Sequence, residues 1–305
     1  MAESPAHKFG QLIGNLVEEG MESTLKDIAE KHNLYLDKKQ ERSARGNRKA
    51  LKWVDHLGNA HDLDYVLEEN GSDQEFGMPI AFIESAWRRY TKHSRNKAQE
   101  IQGAVKPLVH TYWRNAPFAG AIIAGDFTDG AIEQLEAQGF EVLYFEQEDV
   151  VEAFSAVGID GHYEEGTPED DFREKLRNWE SKDQSEKDKV IEGLIEANKE
   201  DVNQFAKNLE NKIERTIRSV LVTPLYGNTE SLDDVSEAIK FLREYIQEYG
   251  SGELKKYEIS VRYNNGDQID AQFERIEDAI DFLHPYQQAP LSPVRYEEGG
   301  GQKDS

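Results

Sequence analysis

Short, uninterrupted apolar runs separated by helical patterns constrain the fold of this chain most. One run covers residues 79–83 and ends at Glu84, and a second covers residues 119–125. Apolar runs of this length without alternation are typical of strands that are buried on both faces of a sheet. Such strands need helices on both sides, because a bare face would expose apolar side chains to water. We therefore expect an α/β core.

The elements up to residue 161 predict one α/β domain with a mixed sheet flanked by helices. Gly58-Asn59 and Asn70-Gly71 are turn signals between three predicted strands. In chain order, the predicted elements are a helix over residues 8–33, strands over 52–57, 61–68 and 79–84, a helix over 96–109, a strand over 119–125, a helix over 130–138, a strand over 141–145 and a helix over 149–157.

A polar linker over residues 162–170 predicts a boundary, so we expect a core over 1–161 and a C-terminal helical and α+β hairpin extension over 162–296. Helical periodicity with many charges covers 171–216. A strand over 219–225, a helix over 231–249 with Ser231 as its N-cap, a hairpin of 257–263 with 268–273, and a helix over 276–283 are expected to follow. Residues 297–305 are expected to be disordered, and no internal repeat is predicted.

Composition excludes several classes of site. The chain has no cysteine, which rules out disulfides, zinc–thiolate sites and thiol catalysis. Asp and Glu outnumber Lys and Arg by 60 to 36, and this net charge of −24 disfavours broad non-specific binding of nucleic acid. No basic segment precedes an apolar run at the N-terminus, and no stretch approaches ~20 apolar residues, so we expect a cytoplasmic protein without a membrane span.

Acidic residues at the ends of predicted strands suggest a metal site. Strand alternation puts Asp62 and Asp64 on one face of the second strand, and Glu84 ends the third. If the two strands pair, an acid from each converges at the end of the sheet. Two carboxylates with waters and a phosphate oxygen suit octahedral Mg²⁺, and Mn²⁺ is a possible substitute. The alternative is that these acids are solvated strand ends.

A basic run directly follows Glu84 in this acidic chain. Carboxylates that hold a cation, beside cations that hold a phosphate, are what metal-assisted phosphodiester cleavage requires. Trp87 and Tyr90 interleave with these cations and would stack on bases or pack in the core. Candidate contacts to DNA phosphates are Arg88, Arg89, Lys92, His93 and Arg95, together with Arg45 and Arg48 from an upstream basic segment. A solvated loop is the alternative for both segments.

Residues 10–160 resemble the PD-(D/E)xK nuclease superfamily, whose fold many restriction endonucleases share. Asp64-Tyr65-Val66-Leu67 matches the acid that heads an apolar strand, and Ile83-Glu84-Ser85-Ala86 matches the (D/E)xK strand except that Ala86 replaces its lysine. The resemblance implies a restriction-endonuclease-like fold and Mg²⁺-dependent hydrolysis of double-stranded DNA. It also implies a homodimer, because two-fold symmetric DNA calls for two symmetric sites. A cognate DNA methyltransferase encoded nearby would accompany such an enzyme.

Three interpretations of the missing lysine stay open. In the first, Lys97 on the following helix replaces the missing lysine, and Glu100, three residues later on the same helix face, or Gln99 completes the catalytic set. In the second, the chain is an inactive nuclease-fold protein of a defence system that binds DNA or a protein partner. In the third, the protein is structural, and Glu84 forms an ion pair with Arg88 or Arg89. Glu18 and Glu19 on the first helix are further candidate acids, with an exposed helix face as the alternative.

Overall fold

The computed structural model describes residues 4–113, 116–164, 166–225, 228–245 and 256–287. The chain divides into two compact units between Glu210 and Asn211. The elements up to this division are α1 Pro5–Lys31, β1 Leu34–Lys38, β2 Lys52–Val54, β3 Ala60–Asp62, β4 Tyr65–Glu69, β5 Met78–Arg88, α2 Ser94–Thr111, β6 Phe118–Gly125, α3 Asp129–Glu136, β7 Glu141–Phe145, α4 Gln147–Ser155, α5 Glu169–Glu180, α6 Gln184–Ala197 and α7 Lys199–Ile213, which runs across it. The elements that follow are β8 Ile217–Pro224, β9 Glu230–Leu232, α8 Val235–Glu244, β10 Tyr257–Tyr263, β11 Gln268–Phe273 and α9 Ile276–Leu283.

The first unit is built on a five-stranded mixed sheet in the order β1-β4-β5-β6-β7, which confirms the predicted mixed α/β class. The pairs β1–β4 and β4–β5 are antiparallel, and β5–β6 and β6–β7 are parallel. All eight residues of β6 are buried, as its unbroken apolar run predicts. On one face, Phe82 of β5 packs in the same cluster as Ile101 of α2. On the other, Trp87 of β5 lies against Gly10 of α1.

The sheet differs from the prediction beside the predicted site. The strand expected over 61–68 is broken at Leu63 and Asp64, so that Asp62 belongs to the separate β2–β3 hairpin and Asp64 precedes β4. The break arises because Leu63 is fully buried and its N–H donates to the carbonyl of Leu51, outside the main sheet. Strand β5 runs on to Arg88, so the basic run begins inside the sheet.

Strand β1 was not predicted, because only three apolar or aromatic residues, Leu34-Tyr35-Leu36, separate the first predicted helix from a polar and basic segment. Its Asp37 is fully buried, and Arg42 Nη1 donates to Asp37 Oδ2 at 2.6 Å and to Glu68 Oε1 at 2.6 Å. The Arg42 guanidinium also lies over the rings of Tyr35 and Phe76, at 4.4 Å and 4.8 Å from their centroids. A buried arginine needs such partners for its charge and all its N–H groups. The network therefore fastens the upstream basic segment to the edge of the sheet.

Aromatic packing explains why the helices after residue 161 lie in the first unit and not, as predicted, in the extension. Phe9 of α1 packs against Tyr163 and against Phe172 of α5, with ring centroids 6.3 Å and 5.8 Å apart. Phe154 of α4 meets Trp179 of α5 at 5.5 Å. The predicted linker therefore lies inside the first unit and does not separate two domains. Buried aromatic pairs of this kind dominate core energetics.

The second unit is a four-stranded antiparallel sheet in the order β11-β10-β8-β9 with α8 and α9 packed on it. The predicted hairpin and final helix are confirmed. The predicted helix start at Ser231 is wrong: β9 occupies that segment, and Asp234 is the N-cap, whose side chain accepts a hydrogen bond from the backbone N–H of Glu237 at 2.9 Å. An aspartate at this position satisfies an otherwise unpaired helical N–H.

This unit also contains an internal repeat that inspection of the sequence missed. Residues 235–242 read VSEAIKFL and residues 276–283 read IEDAIDFL, and each helix follows a β-hairpin. Val220 of β8 pairs with Val261 of β10 at the centre of the sheet. The offset between Val220 and Val261 is 261 − 220 = 41, the same as between the two helices (276 − 235 = 41). Two ββα units thus meet about a pseudo-two-fold axis, and their divergent hairpins hide the relationship.

No helix within the described ranges combines the length and the apolar composition that crossing a bilayer would need.

Candidate metal and phosphate site

Two acidic side chains face each other where β4 begins beside β5. Tyr65 pairs with Ile83 in the antiparallel ladder, so the residues just outside this pair, Asp64 and Glu84, lie opposite each other. Asp64 is only 5% exposed, and its Oδ2 accepts a hydrogen bond from the backbone N–H of Ser85 at 2.6 Å. The two carboxyl groups are within hydrogen-bonding reach of each other. The predicted convergence of Asp64 and Glu84 is therefore present.

The electrostatics of this pair are unusual. Burial raises the pKa of the Glu84 carboxyl well above its ordinary value, and the neighbouring Asp64 raises it further. The charges of Lys97 and Lys39 act in the opposite direction, but more weakly. Two adjacent buried carboxyls cannot both ionise readily without a cation. The pair therefore holds a proton that an incoming divalent ion would release.

Lys39 is the site residue that sequence inspection missed. Lys38 pairs with Tyr65 in the β1–β4 ladder, so the next residue, Lys39, comes opposite Asp64. Its ammonium donates to Asp64 Oδ1, and 53% of its side chain stays exposed. Only the pairing of an unpredicted strand brings it there. The one signal in the sequence is the short segment Leu34-Tyr35-Leu36, which directly follows the first helix.

Glu18 approaches the same acids from α1. Burial raises the pKa of the Glu18 carboxyl, and the charge of Asp64 adds to the effect, whereas Lys39 lowers it. Tyr65, whose hydroxyl donates to the Glu18 carbonyl at 2.7 Å, fastens this turn of α1 to β4. Glu18, Lys39 and Asp64 line a cleft of about 590 Å³. The further acid considered for α1 is thus close to Asp64.

A second cleft, of about 380 Å³, opens on the α2 side of the pair. Its walls include Lys39, Asp62, Glu84, Lys97 and Glu100. Asp62 stands at the rim: its side chain is 67% exposed and lies 3.6 Å from Lys52 Nζ. Because the strand breaks after Asp62, this acid does not share a strand face with Asp64, contrary to the prediction.

Lys97 and Glu100 lie on one face of α2, as their spacing predicts. Lys97 Nζ is 3.3 Å from Glu100 Oε2, and Lys97 is 21% exposed against 58% for Glu100. Ala86, at the lysine position of the (D/E)xK pattern, is buried among apolar side chains two residues beyond Glu84. An ammonium from α2 thus lines the same cleft as Glu84, on the side of the sheet where Ala86 lies.

The site offers few protein ligands for Mg²⁺. Within the described ranges, no group of three or more His, Asp and Glu side chains is assembled as a ready metal cage. Asp64 and Glu84 supply two carboxylates, and Mg²⁺ is often bound by one or two carboxylates with waters and substrate phosphates completing its octahedron. The pair therefore fits a metal that arrives with its substrate.

The basic run divides into two groups. Arg88, Arg89 and His93 line a third cleft, of about 500 Å³, together with His7, Tyr90 and Asn96, and Glu100 borders both this cleft and the one beside Glu84. Arg88 Nη2 donates to Glu100 Oε2 at 3.2 Å. The Arg89 guanidinium lies over the rings of Tyr90 and Phe172, at 4.3 Å and 5.3 Å from their centroids. Glu100 thus connects the cleft that these cations line to the cleft that contains Glu84.

The other predicted DNA contacts lie apart from this cleft or are engaged elsewhere. Lys92 is exposed and lies over the Tyr90 ring at 5.3 Å, and Arg95 is exposed beside Gly130 at the start of α3. Arg45 is 5% exposed and donates to Asp37, so its charge is committed to the buried network. Arg48 is exposed, and its carbonyl accepts from Arg45 Nε at 3.3 Å.

Comparison with protein-family models, curated proteins and solved structures found no match to this chain.

Proposed function

We propose that this protein is a Mg²⁺-dependent endonuclease of the restriction type that hydrolyses phosphodiester bonds in duplex DNA. The observation that carries the proposal is the facing pair of Asp64 and Glu84, flanked by Lys39 and Lys97 and adjoining an arginine-lined cleft. The resemblance of residues 64–67 and 83–86 to the PD-(D/E)xK superfamily supports the same chemistry. A homodimer would let two such sites cut both strands of a palindrome.

Each residue has a distinct part in this scheme. A bound Mg²⁺, or Mn²⁺ in its place, would polarise the phosphate and lower the pKa of an attacking water. Asp64 and Glu84 would hold the cation through their carboxylate oxygens, with Glu84 giving up its proton. Lys97 would face the scissile phosphate and stabilise the charge that develops on it. Arg88 and Arg89 would bind phosphates of the DNA backbone and so position the duplex.

Plasmid cleavage tests the acidic pair. With supercoiled plasmid and Mg²⁺, we expect Glu84→Gln and Asp64→Asn to lower the cleavage rate by at least roughly 100-fold, because each removes a direct ligand. Asp62→Asn is the matched control: its exposed carboxylate lies outside the pair, so its rate should stay within about threefold. Thermal melts would verify that all three variants fold.

Equal cutting by wild type and Glu84→Gln would remove Glu84 from the mechanism. No cutting with Mg²⁺ or Mn²⁺ on any duplex would favour the binding-only alternative, which the absence of a lysine at position 86 supports.

The two lysines are expected to act differently. Lys97→Met should lower the single-turnover cleavage rate by about 100-fold with little change in Mg²⁺ affinity, because it removes charge stabilisation and no ligand. Lys39→Met should raise Mg²⁺ affinity by roughly threefold to tenfold, since its ammonium competes for Asp64. Isothermal titration with Mg²⁺ and rapid-quench kinetics measure the two effects. The reverse result, loss of chemistry in Lys39→Met alone, would make Lys39 the catalytic ammonium.

A further inference from the structure

We propose that Arg88 and Lys97 form a phosphate-binding site and that the Glu100 carboxylate occupies this site until a nucleic-acid phosphate displaces it. The proposal rests on the proposed function for the identity of the ligand, but its geometry stands on three side chains. It assigns Glu100 the part of a built-in competitor, in place of the catalytic acid that the sequence suggests.

One carboxylate oxygen lies between the two cations. Glu100 Oε2 is 3.2 Å from Arg88 Nη2 and 3.3 Å from Lys97 Nζ. A guanidinium and an ammonium that converge on one anionic oxygen also suit an oxygen of a phosphate. Two positive charges against one carboxylate leave this clamp with net positive charge.

The environment favours a larger anion than the carboxylate. Arg88 Nε is buried and has no hydrogen-bond partner among the described residues. Arg89 lines the same cleft and forms no ion pair within the described part of the chain, being held by its stacking on Tyr90 and Phe172. A phosphate could take hydrogen bonds that a single carboxylate leaves unmade, because it presents more acceptor oxygens.

Glu100 is placed where displacement is easy. It lies on an exposed turn of α2, and 58% of its side chain is accessible to water. It borders both the cleft that contains Glu84 and the cleft that contains Arg89. A swing of this one side chain would therefore join the metal pair to the arginine cleft, with the clamped phosphate between them.

Equilibrium binding of DNA in EDTA tests the proposal without cleavage. By fluorescence anisotropy at low salt, we expect Glu100→Gln to bind a labelled duplex roughly threefold to tenfold more tightly than wild type, because a competing anion is lost. Glu136→Gln on α3 is the matched control, because it removes the same charge from an exposed helical position. It should change affinity by less than about twofold. Arg88→Ala in the Glu100→Gln background should abolish the gain.

The source of the phosphate is distinguished by competition. A relaxed closed-circular DNA offers internal diesters alone, a 5′-phosphorylated oligonucleotide adds a terminal phosphate, and inorganic phosphate tests the bare anion. A gain in Glu100→Gln for the closed circle assigns the clamp to internal phosphates, and a gain confined to the phosphorylated end assigns it to termini. Both results support the site.

Three results would overturn the proposal. They are unchanged or weaker DNA binding by Glu100→Gln, an equal gain in Glu136→Gln, and no detectable binding by any variant. Weaker Mg²⁺ binding by Glu100→Gln with unchanged DNA affinity would make Glu100 a metal-binding acid. Because these measurements need no catalysis, a protein that fails to cleave can still show the clamp, and a cleaving protein can lack it.

Discussion

Burial of one carboxyl beside another is the central property of the acidic pair. Glu84 follows a run of apolar residues into the interior, and strand pairing places Asp64 directly opposite. Water cannot solvate two carboxylates fully at this partly buried position, so one proton is retained. Lys39 and Lys97 offset part of this cost from two sides. The pair is therefore poised to exchange a proton for a divalent cation.

The raised pKa of Glu84 predicts the pH dependence of stability without metal. In the unfolded chain Glu84 ionises near its ordinary value of 4.5, whereas in the folded protein burial and Asp64 keep it protonated to a much higher pH. The stabilising contribution is complete below the unfolded pKa and is lost as pH rises through the folded pKa. In EDTA, wild type should therefore lose stability relative to Glu84→Gln between about pH 5 and pH 9.

Urea unfolding in EDTA at several pH values across this range measures the effect. The Glu84→Gln variant gives the reference dependence of the free energy of unfolding on pH. Parallel pH profiles for the two proteins would contradict the placement of a protonated Glu84. The same proton makes Mg²⁺ affinity rise with pH over this window, because the ion binds the ionised carboxylate.

Arg42 and Arg45 show that a basic residue in a basic segment need not face a ligand. Arg42 is fully buried between Asp37 and Glu68, and Arg45 donates to the same Asp37. Removal of one partner from such a network is strongly destabilising, because it leaves a buried charge uncompensated. These arginines stabilise the strand that carries Lys39 to Asp64.

Strand β5 is the element on which the site depends. Its even positions 82, 84 and 86 face α2, and its odd position 87 faces α1. Glu84 and Trp87 are therefore held by opposite layers of the unit. Close approach of α1 to this strand requires a small residue, since a Cβ built on Gly10 would stand 2.1 Å from Trp87 Cζ3.

Gly10→Ala is expected to lower the free energy of unfolding by about 1–3 kcal/mol, because the Trp87 ring must move within a packed core. Helix propensity alone would favour alanine by about 1 kcal/mol. Gly103→Ala on α2 is the matched control, since a Cβ there meets nothing within 4 Å. That variant should gain up to about 1 kcal/mol.

Urea denaturation followed by tryptophan fluorescence measures both changes. If Gly10→Ala were as stable as Gly103→Ala, the α1–β5 contact would be looser than the structure indicates.

The charge of the whole chain sets the conditions under which it is stable. The net charge is −24, and repulsion between the excess negative charges destabilises the folded state. Salt screens this repulsion over a Debye length of about 10 Å at 0.1 M. The melting temperature should therefore rise by roughly 3–6 °C between low salt and about 1 M KCl.

Differential scanning fluorimetry in EDTA measures this rise, with sucrose at matched osmolarity as the control for excluded-volume effects. A melting temperature that falls with KCl would mean that ion pairs outweigh the global repulsion. DNA affinity should change in the opposite direction, because phosphate contacts weaken as salt rises.

Local sequence patterns were sufficient to predict many of the secondary-structure elements of this protein. The unbroken apolar runs of β5 and β6 indicated buried strands, and the Asn-Gly turn indicated the β10–β11 hairpin. The helix predicted over residues 276–283 has the same bounds as α9 in the structure. These features depend on neighbours along the chain, which a sequence displays directly. The facing of Asp64 and Glu84 followed from strand alternation and one assumed pairing.

Long-range pairing decided the rest. Lys39 reaches Asp64 because β1, a short strand without a sequence signal of its own, pairs with β4, and Arg45 turns inward because Asp37 is buried there. The bridge from Arg88 through Glu100 to Lys97 joins the end of a strand to a helix face, and the ββα repeat is visible through the contact of Val220 with Val261. Such contacts depend on which distant segments share a solvent-free interior, and that burial sets both the charge state and the partners of each side chain.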